Sequence, residues 1–243
     1  MTVLLRWTIR IHKWLALAVG IQIVLWVMGG VVMSVIPIER VRGEHNIAST
    51  VDQPLHLDGL IPPDAAVLAS GPGDDIRSVT LGTWLDRPVY DVVRLDGARD
   101  LVDARSGERL TPIDRDMARV VARRDYAGDA DIASVEYFET PTGEYRRAGP
   151  AWRISFADGE GTRLYVDPQT GLVSARRNDA WRVYDFFWML HIMDYKAREN
   201  FNNPLLITAA GLALVTVLAG LVLLVLRLQR LVRMELVRRR TAT

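Results

Sequence analysis

Two segments of this chain, residues 14–36 and 204–226, each run for 23 residues without an Asp, Glu, Lys or Arg. At the helical rise each is about 35 Å long, enough to cross bilayer hydrocarbon with some tilt. Everything else must be arranged around two transmembrane helices. The first run exceeds the ~7–15 apolar residues of a cleavable leader, and Met33-Ser34-Val35-Ile36-Pro37 lacks a small-x-small cleavage site, so residues 14–36 are expected to stay as an anchor.

The flanks set the orientation. Arg6, Arg10 and Lys13 precede the first span, and Arg227, Arg230, Arg233, Arg238, Arg239 and Arg240 follow the second against Glu235 alone. By the positive-inside rule residues 1–13 and the basic tail 227–243 are cytoplasmic, and the 167 residues of 37–203 form a translocated domain. That loop holds 21 basic and 28 acidic residues, so the net charge of +1 conceals an acidic loop between basic ends. Its acidity and its lack of a basic cluster exclude nucleic acid as a partner. With no cysteine there is no disulfide framework, thiolate metal site or thiol nucleophile.

Within the loop one pattern occurs twice. An alternating run at residues 88–93, a turn at Asp96-Gly97, and Asp100-Leu101-Val102-Asp103-Ala104-Arg105-Ser106-Gly107 are matched by residues 150–156, a turn at Asp158-Gly159-Glu160-Gly161, and Arg163-Leu164-Tyr165-Val166-Asp167-Pro168-Gln169-Thr170-Gly171. Each copy has a candidate helix in front. Residues 62–70 form the shorter one. Residues 111–124 form the longer, with Thr111 and Asp114 as candidate caps and Ile113, Met117, Val120 and Val121 as its apolar stripe. The expected fold is an α+β domain of two helix-plus-antiparallel-hairpin units, about 54–110 and 111–178, followed by an aromatic interfacial segment at 179–203. Equivalence of the copies predicts that Tyr90 and Trp152 both point into sheet–helix cores.

The unit whose strand ends Asp-x-x-Ser/Thr-Gly resembles the PepSY domain. Arg10-Ile11-His12-Lys13-Trp14-Leu15-Ala16-Leu17 in turn resembles the opening of the PepSY-associated transmembrane family, which often has Gly where this chain has Ala16. Larger members have four spans; this chain has two. The resemblance implies a bacterial inner-membrane protein with a periplasmic domain. It points to an accessory or regulatory module in an iron-uptake or membrane redox system, to a haem b-bearing electron-transfer subunit of a ferric or siderophore reductase, or to a regulator of an envelope protease.

His12 and His191 are the candidate haem ligands. They stand at opposite mouths of the membrane, His12 inside the basic flank and His191 in the aromatic run at residues 185–195, so one iron cannot take both within a subunit. A homodimer could pair each with its symmetry mate. The plainer reading makes both interfacial polar residues, His191 within an aromatic belt with Trp181, Tyr184, Trp188 and Tyr195. Ala209, Ala213, Thr216 and Gly220 place small residues on one face of the second span, against the first span or a second copy, and Gln22 is expected to hydrogen-bond across that interface. No His-Glu-x-x-His, Walker loop or dinucleotide fingerprint is present, and the chain alone is expected to be non-enzymatic. Asp74-Asp75, Asp129 with Asp131, Glu139 with Glu144, and His45 and His56 read as solvated surface, without metal-ligand spacing. The partners expected are the lipid bilayer and an envelope protein.

Overall fold

The computed structural model describes residues 3–49, 54–71 and 75–241. The chain divides into two compact units, Pro37–Arg182 and a helical unit of Met1–Ile36 with Val183–Thr243. The architecture is mixed helix and antiparallel sheet, with a long apolar helix at each end of the chain.

In the first unit, α3 (Pro63–Ala69) lies against a three-stranded sheet of β1 (Ile76–Trp84), β2 (Arg87–Arg94) and β3 (Arg99–Asp103). α4 (Arg115–Asp125) lies against four strands in sequential order, β4 (Ile132–Phe138), β5 (Ala151–Phe156), β6 (Arg163–Val166) and β7 (Val173–Arg177). Helix α2 (Ile38–Val41) and a 3₁₀ turn, Glu44–Asn46, precede them. All pairings are antiparallel, as hairpins with tight connections require.

The repeat holds bond for bond. Asp103 Oδ1 accepts the backbone N–H groups of Arg105 and Ser106, and Asp167 Oδ1 those of Gln169 and Thr170. Each aspartate carbonyl accepts from the glycine closing its turn, Gly107 or Gly171. Ile61 N–H donates to the Ala104 carbonyl and Ile113 N–H to the Pro168 carbonyl, both at 2.8 Å. The carbonyls of the same two isoleucines then accept from Tyr90 Oη (2.8 Å) and Trp152 Nε1 (3.1 Å). Tyr90 pairs with Val102 and Trp152 with Val166, and both edge strands are irregular at matching places, between Ile76 and Ser78 and between Ile132 and Ser134. Tyr90 and Trp152 are therefore equivalent, each tying its strand to the residue before its helix N-cap.

Their surroundings differ. Tyr90 is buried with Ala66, Val92, Val102 and Ala104 in a small core under α3. Trp152 is half-buried at the edge of the main core. That core joins the copies: Trp84, Val89 and Leu101 from the first sheet cluster with Ile154, Phe156, Leu164 and Val166 from the second and with Ala118, Val121 and Ala122 of α4.

Helix α4 starts at Asp114, whose carboxylate accepts from Met117 N–H at 2.8 Å. Thr111 is no cap; its hydroxyl is buried and accepts from Leu101 N–H. The stripe expected from sequence is corrected at Val120, which is 52% exposed. From a start at Arg115 the inward positions are 118, 121 and 122, and two of those are alanines that let the helix approach the sheet closely.

In the helical unit, α1 (Val3–Val35) and α6 (Pro204–Thr241) contact each other, and α5 (Asp179–Ile192) contributes its residues from 183 onward. Both long helices outrun their apolar stretches, because the basic flanks contain neither Gly nor Pro and are rich in Arg and Leu, good helix formers.

Candidate functional site

In the helical unit the polar chemistry gathers around α5. Its ring of His191 stands 6.4 Å from the ring of Trp26 on α1, centroid to centroid. His191 Nδ1 and Trp26 Nε1 are both buried without a hydrogen-bond partner. One turn away Gly29 lets α5 come close: a Cβ there would lie 3.8 Å from the Phe187 ring and carbonyl. Asp185 is buried and pairs with Arg198. Trp188 Nε1 donates to the Arg198 carbonyl at 3.1 Å. Asn203 caps α6, accepting from Leu206 N–H and donating to the carbonyls of Ile192 and Asn200.

His12 lies on α1, and its side chain is outside the described residues. Trp26 is fourteen residues further along the helix, about 21 Å of rise, which places His12 and His191 at different depths. On α6, which contacts α1, Ala213 is buried and Ala209 and Thr216 half-buried, while Gly220 is exposed with open space where a side chain would be. Thr216 Oγ1 donates back to the Leu212 carbonyl. Gln22 is half-buried. The glycine of α1 that receives a neighbour is Gly29, and the neighbour is α5, a helix the small-residue pattern of the second span gives no reason to expect.

Two depressions stand out among the described residues of the other unit. An open cleft of about 750 Å³ runs over the outer face of α4, lined by Asp116, Arg119, Val120, Arg123, Asp131 and Ile132 among others. Arg123 is held by the carbonyls of Gly128 and Ala130, and Arg119 makes a 4.0 Å contact with Asp116. A second cleft of about 390 Å³ lies between the copies, with Trp84, Leu85, Val121, Leu172 and Val173 in its wall.

Two acidic residues organise the surface. Glu160 accepts from His45 Nε2 (2.7 Å), Asn46 and Arg40, and its carbonyl takes Asp179 N–H, so the segment entering the unit is tied to the segment leaving it. The hydrogen bond from His45 holds the Glu160 carboxyl below its usual range. Burial and the hydrogen bond to Asp158 push the Tyr126 hydroxyl up to about 12. Glu144 accepts from Arg182 (2.8 Å), Arg163 (2.9 Å) and Tyr165 Oη (3.1 Å) over the stacked rings of Tyr145 and Tyr165. Burial would raise its carboxyl, but the bonds from Arg182 and Arg163 hold it low.

Among the described residues no three of His, Cys, Asp and Glu gather in a way that could hold a metal ion. Asp74 is outside the described residues. His45 and Glu144, read from sequence as solvated surface, are instead engaged in these two clusters. Nothing local in the sequence marks either, because their partners lie 19 to 115 residues away.

The arrangement defines a membrane protein whose α+β domain of two like units lies, along the chain, between two apolar helices. The PepSY-associated TM region family matches residues 9–243, and the chain belongs to it. No curated protein and no solved structure matches.

Proposed function

We propose that this protein is an accessory module of a bacterial inner membrane, presenting its paired-unit domain on the periplasmic side to an envelope partner within an iron-uptake or redox system. The observation carrying this is the cleft over α4, whose exposed Val120 and half-buried Ile132 lie among Arg119 and Arg123, the mixture of apolar contact and fixed charge that a protein partner needs. A photo-crosslinking residue at Val120 should give one discrete adduct in the native membrane, weakened by Arg119→Glu; absence of an adduct counts against the reading. For the orientation, a reporter fused after Thr243 should behave as cytoplasmic and an insertion near Gly73 as periplasmic. An active periplasmic reporter at the C-terminus would reverse the assignment.

A second reading, electron transfer through haem b, is favoured by His191. Its Nδ1 is a buried imidazole nitrogen without a partner, which suits a ring oriented for ligation. The rival account is internal: Trp26 Nε1–H is only a donor, and a neutral His191 protonated on Nε2 could accept it after a small ring rotation. In the haem reading His191, with His12 at the other level, would hold the group in a homodimer, and haem would supply one-electron chemistry. Trp26 would fix the ring of His191. His191→Ala and His12→Ala should then each remove about half the pyridine-haemochrome signal of the wild type, a ligand's loss emptying its own site. Colourless wild-type protein, made with adequate iron and haem precursor, leaves the accessory reading alone. Regulation of an envelope protease remains a third use of the same cleft, and the adduct's identity separates it from the first.

A further inference from the structure

Strand β4 is the outer strand of its sheet, and among the described residues no strand pairs with its open side. Which groups it presents there follows from β5. Phe156 N–H donates to the Thr162 carbonyl, so Phe156, Ile154 and Trp152 turn their backbone groups to β6, while Ser155, Arg153 and Ala151 turn theirs to β4. Their partners in β4 are Ser134, Glu136 and Phe138, which leaves the N–H and C=O groups of Val135 and Tyr137 on the open edge. Edges are commonly blunted by charge, proline or an irregularity. The irregularity of β4 lies at its first residues, and its one charged side chain, Glu136, is taken by Arg153 at 2.7 Å.

Helix α4 crosses the same sheet in the direction opposite to β4. Ile113, just before the helix, accepts from Trp152, the neighbour of Tyr137; Tyr126, just after it, stacks on Phe156, the neighbour of Ile132. The cleft over α4 has the helix for one wall and Asp131 and Ile132, where β4 begins, for the other. Arg119 and Arg123 line it, and Arg115 continues their exposed row one turn back. The carbonyls of Gly128 and Ala130, in the segment leading into β4, hold Arg123 on that side.

The spacing of this row suits a strand. Four residues of helix rise about 6 Å and two residues of strand about 6.6 Å, so alternate side chains of a strand laid on β4 stay level with successive arginines. Asp116 and Asp131 share the lining as exposed carboxylates, but with Arg124 the arginines outnumber them, in a loop whose overall balance is acidic. The first copy lacks the row. Val79 and Leu81 pair with Val92 and Tyr90 as Val135 and Tyr137 pair with Ile154 and Trp152, yet α3 beside them carries no Lys or Arg.

We infer that an extended acidic segment of the partner adds to β4 as a fifth, antiparallel strand, bonding to Val135 and Tyr137 and setting alternate Asp or Glu side chains against Arg115, Arg119 and Arg123. A second copy of this chain fits worse. Pairing two β4 edges about a twofold axis puts both α4 helices on one face of the joined sheet, with their arginine rows opposed. The inference rests on the reading of the α4 cleft as a partner site, and its test separates the two.

The probe is a short capped peptide of alternating Glu and Thr, added to the full-length protein in lipid nanodiscs, with hydrogen exchange read at single amides. The peptide should slow exchange at Val135 and Tyr137 by about tenfold or more and leave Val79 and Leu81 unchanged. A peptide with Lys in place of Glu, and one N-methylated on the residues that face β4, should give no protection. Arg115→Glu combined with Arg119→Glu should weaken binding by about tenfold; should that variant fail to fold, the peptide comparisons on the wild type decide alone. Equal protection by the lysine peptide or by the N-methylated peptide overturns the inference. So does absence of protection by the Glu peptide: an adduct still formed at Val120 in native membranes then leaves the partner reading standing, and its absence removes both. Protection at Val135 and Tyr137 that appears without peptide and grows with protein density would show a second copy on the edge, and would also overturn the inference.

Discussion

Gly171→Ala should destabilise the domain by about 2–5 kcal/mol, and Gly107→Ala by about 1–2 kcal/mol, although the two glycines close equivalent turns. Both have left-handed backbone, φ +64° and +76°, where an alanine costs ~1–2 kcal/mol whatever the space around it. The difference lies in what a Cβ meets. At Gly107 it finds the end of Ile61 at 3.5 Å, an ordinary contact. At Gly171 it would sit 2.9 Å from the indole of Trp84, which is buried and donates from Nε1 to the Gly171 carbonyl at 2.9 Å. That ring cannot withdraw without breaking its bond and the seam between the copies, an overpacking cost of ~1–3 kcal/mol more. Unfolding of the full-length protein in detergent, followed by near-UV circular dichroism, measures both variants, and equal losses would mean that Trp84 yields freely.

The repeat was legible because its marks are local. Asp-x-x-Ser/Thr-Gly writes a turn within five residues, and alternation writes the strands, so Tyr90 and Trp152 could be matched before any contact was known. The joining of the copies was not legible. Trp84 sits in no motif, and its partner carbonyl lies 87 residues away. Val120 failed for a different reason: the covered face runs through Ala118, Val121 and Ala122, one position on and so about 100° round from Met117 and Val120, and small alanines mark a buried face less clearly than valine does.

In the helical unit the spans were written in composition, while the role of residues 183–192 was not. A segment with an aspartate, a histidine and five aromatic or sulfur-bearing side chains looks interfacial by composition. Its packing depends on Gly29 and Trp26, some 160 residues earlier in the chain. Small residues on α6 pointed to a packed face, and Ala209, Ala213 and Thr216 lie on the covered side, but α1 also had a second helix to accommodate. Of the candidate ligands, His191 has buried geometry that can be argued from and His12 has none, so the haem reading leans on one residue of the pair.

Glu144→Gln is the substitution expected to change the acid stability of the domain most. The carboxylate gathers Arg163, Arg182 and Tyr165, and the amide keeps its shape while removing the charge both guanidinium groups face. Breaking a fully buried pair costs ~3–5 kcal/mol; with 22% of this side chain exposed and Arg182 retaining Asp179, about 2–4 kcal/mol is expected near pH 7. Glu139→Gln, at an exposed position nearby, should stay within about 0.5 kcal/mol of wild type. The pH dependence follows from the direction of the shift. The folded carboxyl is held below its unfolded value of about 4.3, so its stabilisation is complete above that pH and is lost as the pH falls through the lower, folded pKa. The wild type should therefore keep a constant lead over Glu144→Gln from pH 7 to pH 5, and the lead should narrow below about pH 4 as the native carboxylate takes up its proton. Asp103, Asp158 and Glu160 are also held low and titrate in both proteins, so both lose stability in acid and only the difference reports on Glu144. A lead that stays constant down to pH 3, or grows, would show that packing of the side chain and not its charge holds this cluster together.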